Sequence, residues 1–211
     1  GRPAEERVKR IDEIRGVLDA IAILCDAGQY VAALSLYNSR CEYGRVFMRL
    51  GAMREWYDIA SRFTREEALD QLSDREQDRV LNDAAIAGEG YGDLVRAAEM
   101  ALRAVEISEA RKDWTNAAIN RSNRAPILSH YRPAAEVVEE AERALALAEK
   151  SHAVEIIVVS RACLGVCLAE AGRAGDAAGH AAAAYATARC NPISFDSSRR
   201  SFRSLAGNVL F

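Results

Sequence analysis

Leu164-Gly165-Val166-Cys167-Leu168, a turn at Gly172, and Ala177-Ala178-Gly179-His180-Ala181-Ala182-Ala183-Ala184 decide how the chain is read. Leu164 and Leu168 stand one helical turn apart, so they share a face of one helix. Gly172 follows where that apolar stripe ends, and glycine adopts the left-handed conformation that a helix stop needs. Ala177, Ala181 and Ala184, spaced four and three, put a stripe of small residues on the next helix, along which a neighbour can approach closely. The stretch is therefore a helix, a tight turn and a second helix.

Moving outward, the pattern recurs. Gly28-Gln29-Tyr30-Val31-Ala32-Ala33, Gly92-Asp93-Leu94-Val95-Arg96-Ala97 and Gly172-Arg173-Ala174-Gly175-Asp176-Ala177 each place a turn, an apolar residue and an alanine in register. Ala97, Ala101 and Ala104 anticipate Ala177, Ala181 and Ala184, with Ala141 and Ala144 in the corresponding place between them. The turns at Gly92, Arg132 and Gly172 are 40 residues apart. A constant period of that size marks a helical solenoid. Helical periodicity predicts about eleven segments, near 4–27, 30–42, 45–62, 64–72, 74–89, 93–110, 113–129, 133–150, 152–171, 174–190 and 195–210. Thr64 with Glu67 and Ser73 with Glu76 have the spacing of capping boxes. The expected architecture is all-α: a right-handed α-solenoid forming a single domain over 1–211. Its antiparallel hairpins lie near 4–42, 45–72, 74–110, 113–150 and 152–190, followed by a terminal helix at 195–210.

Composition supports a folded, helical chain. Half of the 211 residues are apolar, enough for a buried core, and only four are proline. The net charge of −3 gives no general attraction to nucleic acid or anionic membrane. No apolar run reaches the roughly 18 residues of a membrane span, and the first residues lack a secretory signal, so the expected location is the cytoplasm. Five cysteines, an odd number spread through helical patterns, fit reduced thiols better than a disulfide framework.

The motif Leu164-Gly165-x-x-Leu168, Gly172, Ala177-x-x-x-Ala181-x-x-Ala184 resembles the tetratricopeptide repeat (TPR), best over roughly 152–190. The period is longer than the family's usual one, the first-helix tryptophan is absent and no proline closes the repeats. This long-period, alanine- and arginine-rich style is similar to repeats of bacterial multidomain signalling proteins. The resemblance implies a protein–protein interaction or scaffold module, the sensor or regulatory arm of a larger protein, with a protein, a peptide or another domain of the parent chain as partner. It places the partner on a concave face made by the first helix of each hairpin. Carried over by position, that face includes Arg15, Leu18, Arg79, Asn82, Ile86, Ser122, Asn123 and Val166. Two alternatives stand beside it: a small ligand or signalling peptide held in the groove, and nucleic acid held by arginine clusters. These clusters are Arg111, Lys112, Arg121, Arg124 and Arg132, and Arg189, Arg199, Arg200 and Arg203.

No residue pattern argues for catalysis, a cofactor or a metal. Gly88-Glu89-Gly90-Tyr91-Gly92 is glycine-rich but follows a helix instead of a strand and lacks the Lys-Ser/Thr pair of a phosphate loop. Cys163 and Cys167 share a helix face without two further ligands in reach of a closed zinc site. His130, His152 and His180 form no catalytic constellation by spacing. The aromatic segment with Phe47, Trp56, Tyr57 and Phe63 reads as a core-facing helix, part of whose surface is a candidate docking site. Ala206-Gly207-x-x-Leu210 repeats the helix-crossing pattern, so a new repeat is expected to begin near 195, as a cap or as the start of a longer array.

Overall fold

The structure, a computed structural model, describes residues 8–190. All regular structure among these is helical: α1 Arg15–Asp26, α2 Tyr30–Arg40, α3 Arg45–Leu50, α4 Met53–Ala60, α5 Glu66–Leu69, α6 Asp74–Tyr91, α7 Leu94–Ala110, α8 Trp114–Ser129, α9 Ala134–Ser151, α10 Val154–Glu170 and α11 Ala174–Cys190. Short 3-10 turns cover Ile11–Ile14 and Ser61–Thr64. None of these helices is long and apolar enough to cross a membrane. The expected helix 195–210, with Arg199, Arg200 and Arg203, lies outside the described residues.

From α6 onward the helices start at 74, 94, 114, 134, 154 and 174, twenty residues apart each time. The turns repeat with the same cadence. Gly92 and Gly172 end α6 and α10 at φ of 101° and 77°, while Lys112 and His152 close α7 and α9 in the left-handed region at 57° and 56°. Before α9 the stop is made differently. Pro133 cannot donate a backbone hydrogen bond and biases Arg132 away from helix.

The chain forms two compact units, Gly1–Met100 and Ala101–Phe211. In the first, α1 packs on α2, and α4 packs on both α1 and α6. Its core is aromatic: Trp56, Tyr37, Phe47 and Phe63 are all buried, with Phe47 stacked on Trp56. The aromatic residues Phe47, Trp56, Tyr57 and Phe63 of that segment are thus interior, while Met48, Leu50 and Met53 are half-buried. A continuous helix over 45–62 does not form. Gly51 takes φ of 67° and its N–H bonds back to Phe47 and Met48, which ends α3 and restarts the chain as α4. The expected helix at 64–72 shrinks to α5, because Thr64 is buried and turns its hydroxyl to the Ser61 carbonyl instead of capping. The Ser73–Glu76 box does form and starts α6. At the N-terminal end a 3-10 turn over Ile11–Ile14 delays the first α-helix to Arg15.

In the second unit α8 and α9, then α10 and α11, form antiparallel hairpins, and α10 packs on both α8 and α9. The alanine stripe is the glue. Ala104, Ala141, Ala144 and Ala184 are buried, and a Cβ added at Gly165 would sit 3.4 Å from the Ala177 carbonyl of α11. Interhelical contact this close needs small residues on both sides.

Candidate functional site

Once the Ser73 cap starts α6, Arg75, Arg79, Asn82 and Ile86 follow at spacings of four, three and four, which puts them on one stripe of the helix. Arg75 and Arg79 are exposed; Asn82 and Ile86 are half-buried. The Arg79 guanidinium lies over the ring of Tyr43, 4.1 Å from its centroid. Tyr43 is held out by an unusual turn in which Glu42, Tyr43 and Gly44 all have positive φ, at 51°, 57° and 82°. Only glycine fits the last position, since a Cβ there would overlap the indole of Trp56.

Several other arginines are neutralised. Arg62 meets Asp26 at 2.7 Å, Arg132 meets Glu136 and Arg161 meets Glu149. Among the described residues no carboxylate pairs with Arg75 or Arg79. Two like charges at i and i+4 repel slightly on a bare helix. The stripe is therefore a place where an anionic group gains attraction without first displacing a carboxylate of the chain itself.

Beneath this stripe is a chain of buried polar side chains. Trp56 Nε1 donates to the Tyr37 hydroxyl at 2.8 Å, and Tyr37 donates to Asp83 Oδ2 at 2.9 Å. Asp83, four residues after Arg79 on α6, is 9% exposed. Burial pushes its carboxyl up to about 7, opposed by the Tyr37 hydrogen bond and the Arg79 charge. The Tyr37 phenol is itself pushed well above its ordinary value, mainly by burial.

The remaining expected site residues fall in separate places. Arg15 begins α1 and pairs with Asp12 at 3.3 Å in solvent, and Leu18 on the same helix is half-buried. Ser122 is 1% exposed. Its hydroxyl lies 3.1 Å from that of Ser160, in the seam between α8 and α10. Asn123 beside it is also buried, and Val166 on α10 is half-buried. Pro126 explains part of this seam. It lies inside α8 and has no N–H to offer the Ser122 carbonyl four residues earlier. The Cys163 thiol of α10 donates to that carbonyl at 3.5 Å. Cys163 also bonds Cys167, which raises the pKa of the first and lowers that of the second.

The first arginine cluster is consumed internally. Arg121 grips both oxygens of buried Glu140 at 3.0 and 3.1 Å, and its other edge bonds Glu109. Arg124 adds a second guanidinium on Glu140 at 3.0 Å, Arg111 lies 3.8 Å from Asp113, and Arg132 pairs with Glu136. Arg121 and Arg124 hold helices together, while Arg111 and Arg132 pair with carboxylates close by in sequence, which lowers the charge the cluster offers a polyanion. Lys150 sits over the Trp114 ring at 3.4 Å, closing the start of α8 against α9. No group of three His, Cys, Asp or Glu among the described residues could hold a metal ion. Gly88, Gly90 and Gly92 belong to the last turn and stop of α6, where Gly88 lets Tyr57 and Ala97 approach.

Arg79, Asn82 and Ile86 are thus brought together on one stripe of α6, whereas Arg15 pairs with Asp12 and Ser122 and Asn123 are buried in the second unit. Three contributors were missed from sequence: Arg75, Tyr43 and Asp83. The spacing of Arg75 to Arg79 was a readable signal. The placement of Tyr43 and the burial of Asp83 depend on tertiary packing and left none.

No family model and no curated protein matches the sequence. Among solved structures the chain is similar to the kinesin light chain nearly identical TPR-like repeats of Podosopora anserina, with 15% identity and a TM-score of 0.47 over 96% of this chain and 87% of that one.

Proposed function

We propose that the chain is a protein-interaction module whose α6 face binds an acidic peptide segment of a partner. The observation that carries this reading is the pair of unneutralised guanidinia, Arg75 and Arg79, on one stripe with the Asn82 amide and the apolar Ile86, one of them stacked on exposed Tyr43. Guanidinium forks bind carboxylates bidentately, Asn82 supplies a nearby amide, and Ile86 offers an apolar contact for the intervening side chain. Arg15 and Leu18 on α1 and Val166 on α10 are further candidate contacts on their own units. Ser122 and Asn123 act by positioning α8. The alanine- and arginine-rich repeat style supports a role as a sensing or scaffold arm in a cytoplasmic bacterial signalling protein, with a separate protein or another domain of the same polypeptide as partner.

Selection from a random peptide library on the immobilised chain tests the charge class directly. Peptides rich in Asp and Glu should be enriched, and their binding should survive an excess of single-stranded DNA. Enrichment of basic or uncharged peptides, or displacement of the selected peptides by DNA with a steep salt dependence, would overturn the reading.

A further inference from the structure

The buried carboxyl beneath the α6 stripe has no part in binding as described so far. Asp83 and Arg79 are one helical turn apart, and among the described residues Arg79 is the charge that acts on Asp83. Among the described residues the other groups that act on it or on its partner Tyr37 from neighbouring elements carry no charge. From α2 comes the Tyr37 phenol and, just past the end of that helix, the Cys41 thiol, which burial pushes up to about 12; from α4 comes the Trp56 indole. Phe63 of the 61–64 turn packs on Tyr37, while Arg62 of that turn is directed to Asp26. The three histidines of the chain are His130, His152 and His180, all beyond Met100, so none lies in this unit.

Arg79 lies over the Tyr43 ring, and its charge also acts on Asp83 one helical turn along α6. It can remain over the Tyr43 ring at the surface, or it can lean back along α6 toward a charged Asp83. A protonated Asp83 offers a neutral partner that Tyr37 already serves, and leaves the guanidinium to the ring and to solvent. An ionised Asp83 is a carboxylate in a region of low dielectric, where attraction to a nearby cation is strengthened. We propose that Asp83 is a proton-operated control of the α6 face: loss of its proton draws the Arg79 guanidinium from the Tyr43 stack and weakens the capture of an acidic segment. This rests on the binding role given to α6, and it adds a condition under which that face is switched on. The carboxyl midpoint near neutrality places the change in a range a cell can reach.

The test uses the full chain with 13C-labelled aspartate, following the Asp83 carboxyl, the Arg79 side-chain N–H signals and the Tyr43 ring by NMR from pH 4.5 to 8.5. A midpoint within about one unit of 7 is expected, and the Arg79 and Tyr43 signals should move with that midpoint. Tyr37→Phe removes a hydrogen bond that favours the carboxylate, and Arg79→Gln removes the stabilising charge, so each should raise the midpoint. Asp83→Asn, close in shape to the protonated side chain, should freeze the Arg79 and Tyr43 signals in their low-pH positions. A library-selected acidic peptide should bind the wild type about 3- to 10-fold more tightly at pH 6 than at pH 8, and Asp83→Asn should remove that difference.

An Asp83 midpoint below 5, or Arg79 and Tyr43 signals unchanged across the titration, would overturn the proposal. So would an unaltered pH dependence of peptide binding in Asp83→Asn. If no acidic peptide binds at any pH while the three signals still titrate together, the docking role of α6 has failed and the proton control has not.

Discussion

Gly44, Asp83 and Cys163 show how single residues set local energetics. Gly44 combines φ of 82° with contact against Trp56, so Gly44→Ala adds a left-handed penalty to a steric overlap with a buried ring. A loss of at least about 2 kcal/mol is expected in urea unfolding, against little change for Gly175→Ala, which sits in helix with open space around it. Asp83 has a folded-state pKa raised from 3.8 to about 7. Its protonated form is therefore favoured by folding: the associated stability is fully present below pH 4 or so and is lost as pH rises toward 7. Asp83→Asn should flatten that part of the pH profile in thermal unfolding of the full chain. Cys163 serves a carbonyl deprived of its helical donor by Pro126, so Cys163→Ala should cost about 1–3 kcal/mol, with Cys163→Ser milder. Pro126→Ala restores an N–H to α8. The loss from Cys163→Ala should shrink in that background, as a double-mutant cycle would show.

At the scale of the helices, the way an ion pair is buried decides what it is worth. Glu140 is 4% exposed and is gripped by Arg121 and Arg124, which are 12% and 19% exposed. Removing the carboxylate by Glu140→Ala leaves two partly desolvated cations without their partner, and about 3–5 kcal/mol should be lost. Glu139, its neighbour in sequence, pairs with Arg143 in solvent, both more than half exposed. Glu139→Ala should change stability by under about 1 kcal/mol. Both can be measured by chemical denaturation. The same distinction explains what the sequence conveyed at this scale. The alternation of arginine and glutamate was legible, but which pair was buried was not, since burial depends on the approach of α7, α8 and α9. The break at Gly51 was equally hidden. The apolar spacing of 45–62 is helical throughout, and only the left-handed turn at one glycine separates α3 from α4.

For the molecule as a whole, the period was the strongest message in the sequence. Turns read at Gly92, Arg132 and Gly172 correspond to helices starting every twenty residues from 74 to 174, because a repeated turn signal and a repeated alanine stripe specify the same hairpin each time. The binding face was less legible. Positional analogy selected Arg79, Asn82 and Ile86 together, but it also selected Ser122 and Asn123. Those two face the α8–α10 seam, because small polar side chains at the same helical position serve equally well between helices or on a surface. What separates the two cases is the neighbouring helix, and no single helix encodes it. The central claim is that recognition runs through α6. Isothermal titration of one library-selected acidic peptide against three proteins tests it most directly: the wild type, Arg79→Ala/Asn82→Ala and Glu139→Ala/Arg143→Ala. The account predicts a 10- to 100-fold weaker Kd for the α6 pair, equivalent to about 1–3 kcal/mol, and an unchanged Kd for the α9 pair. Loss of binding in the α9 pair with wild-type affinity in the α6 pair would contradict it.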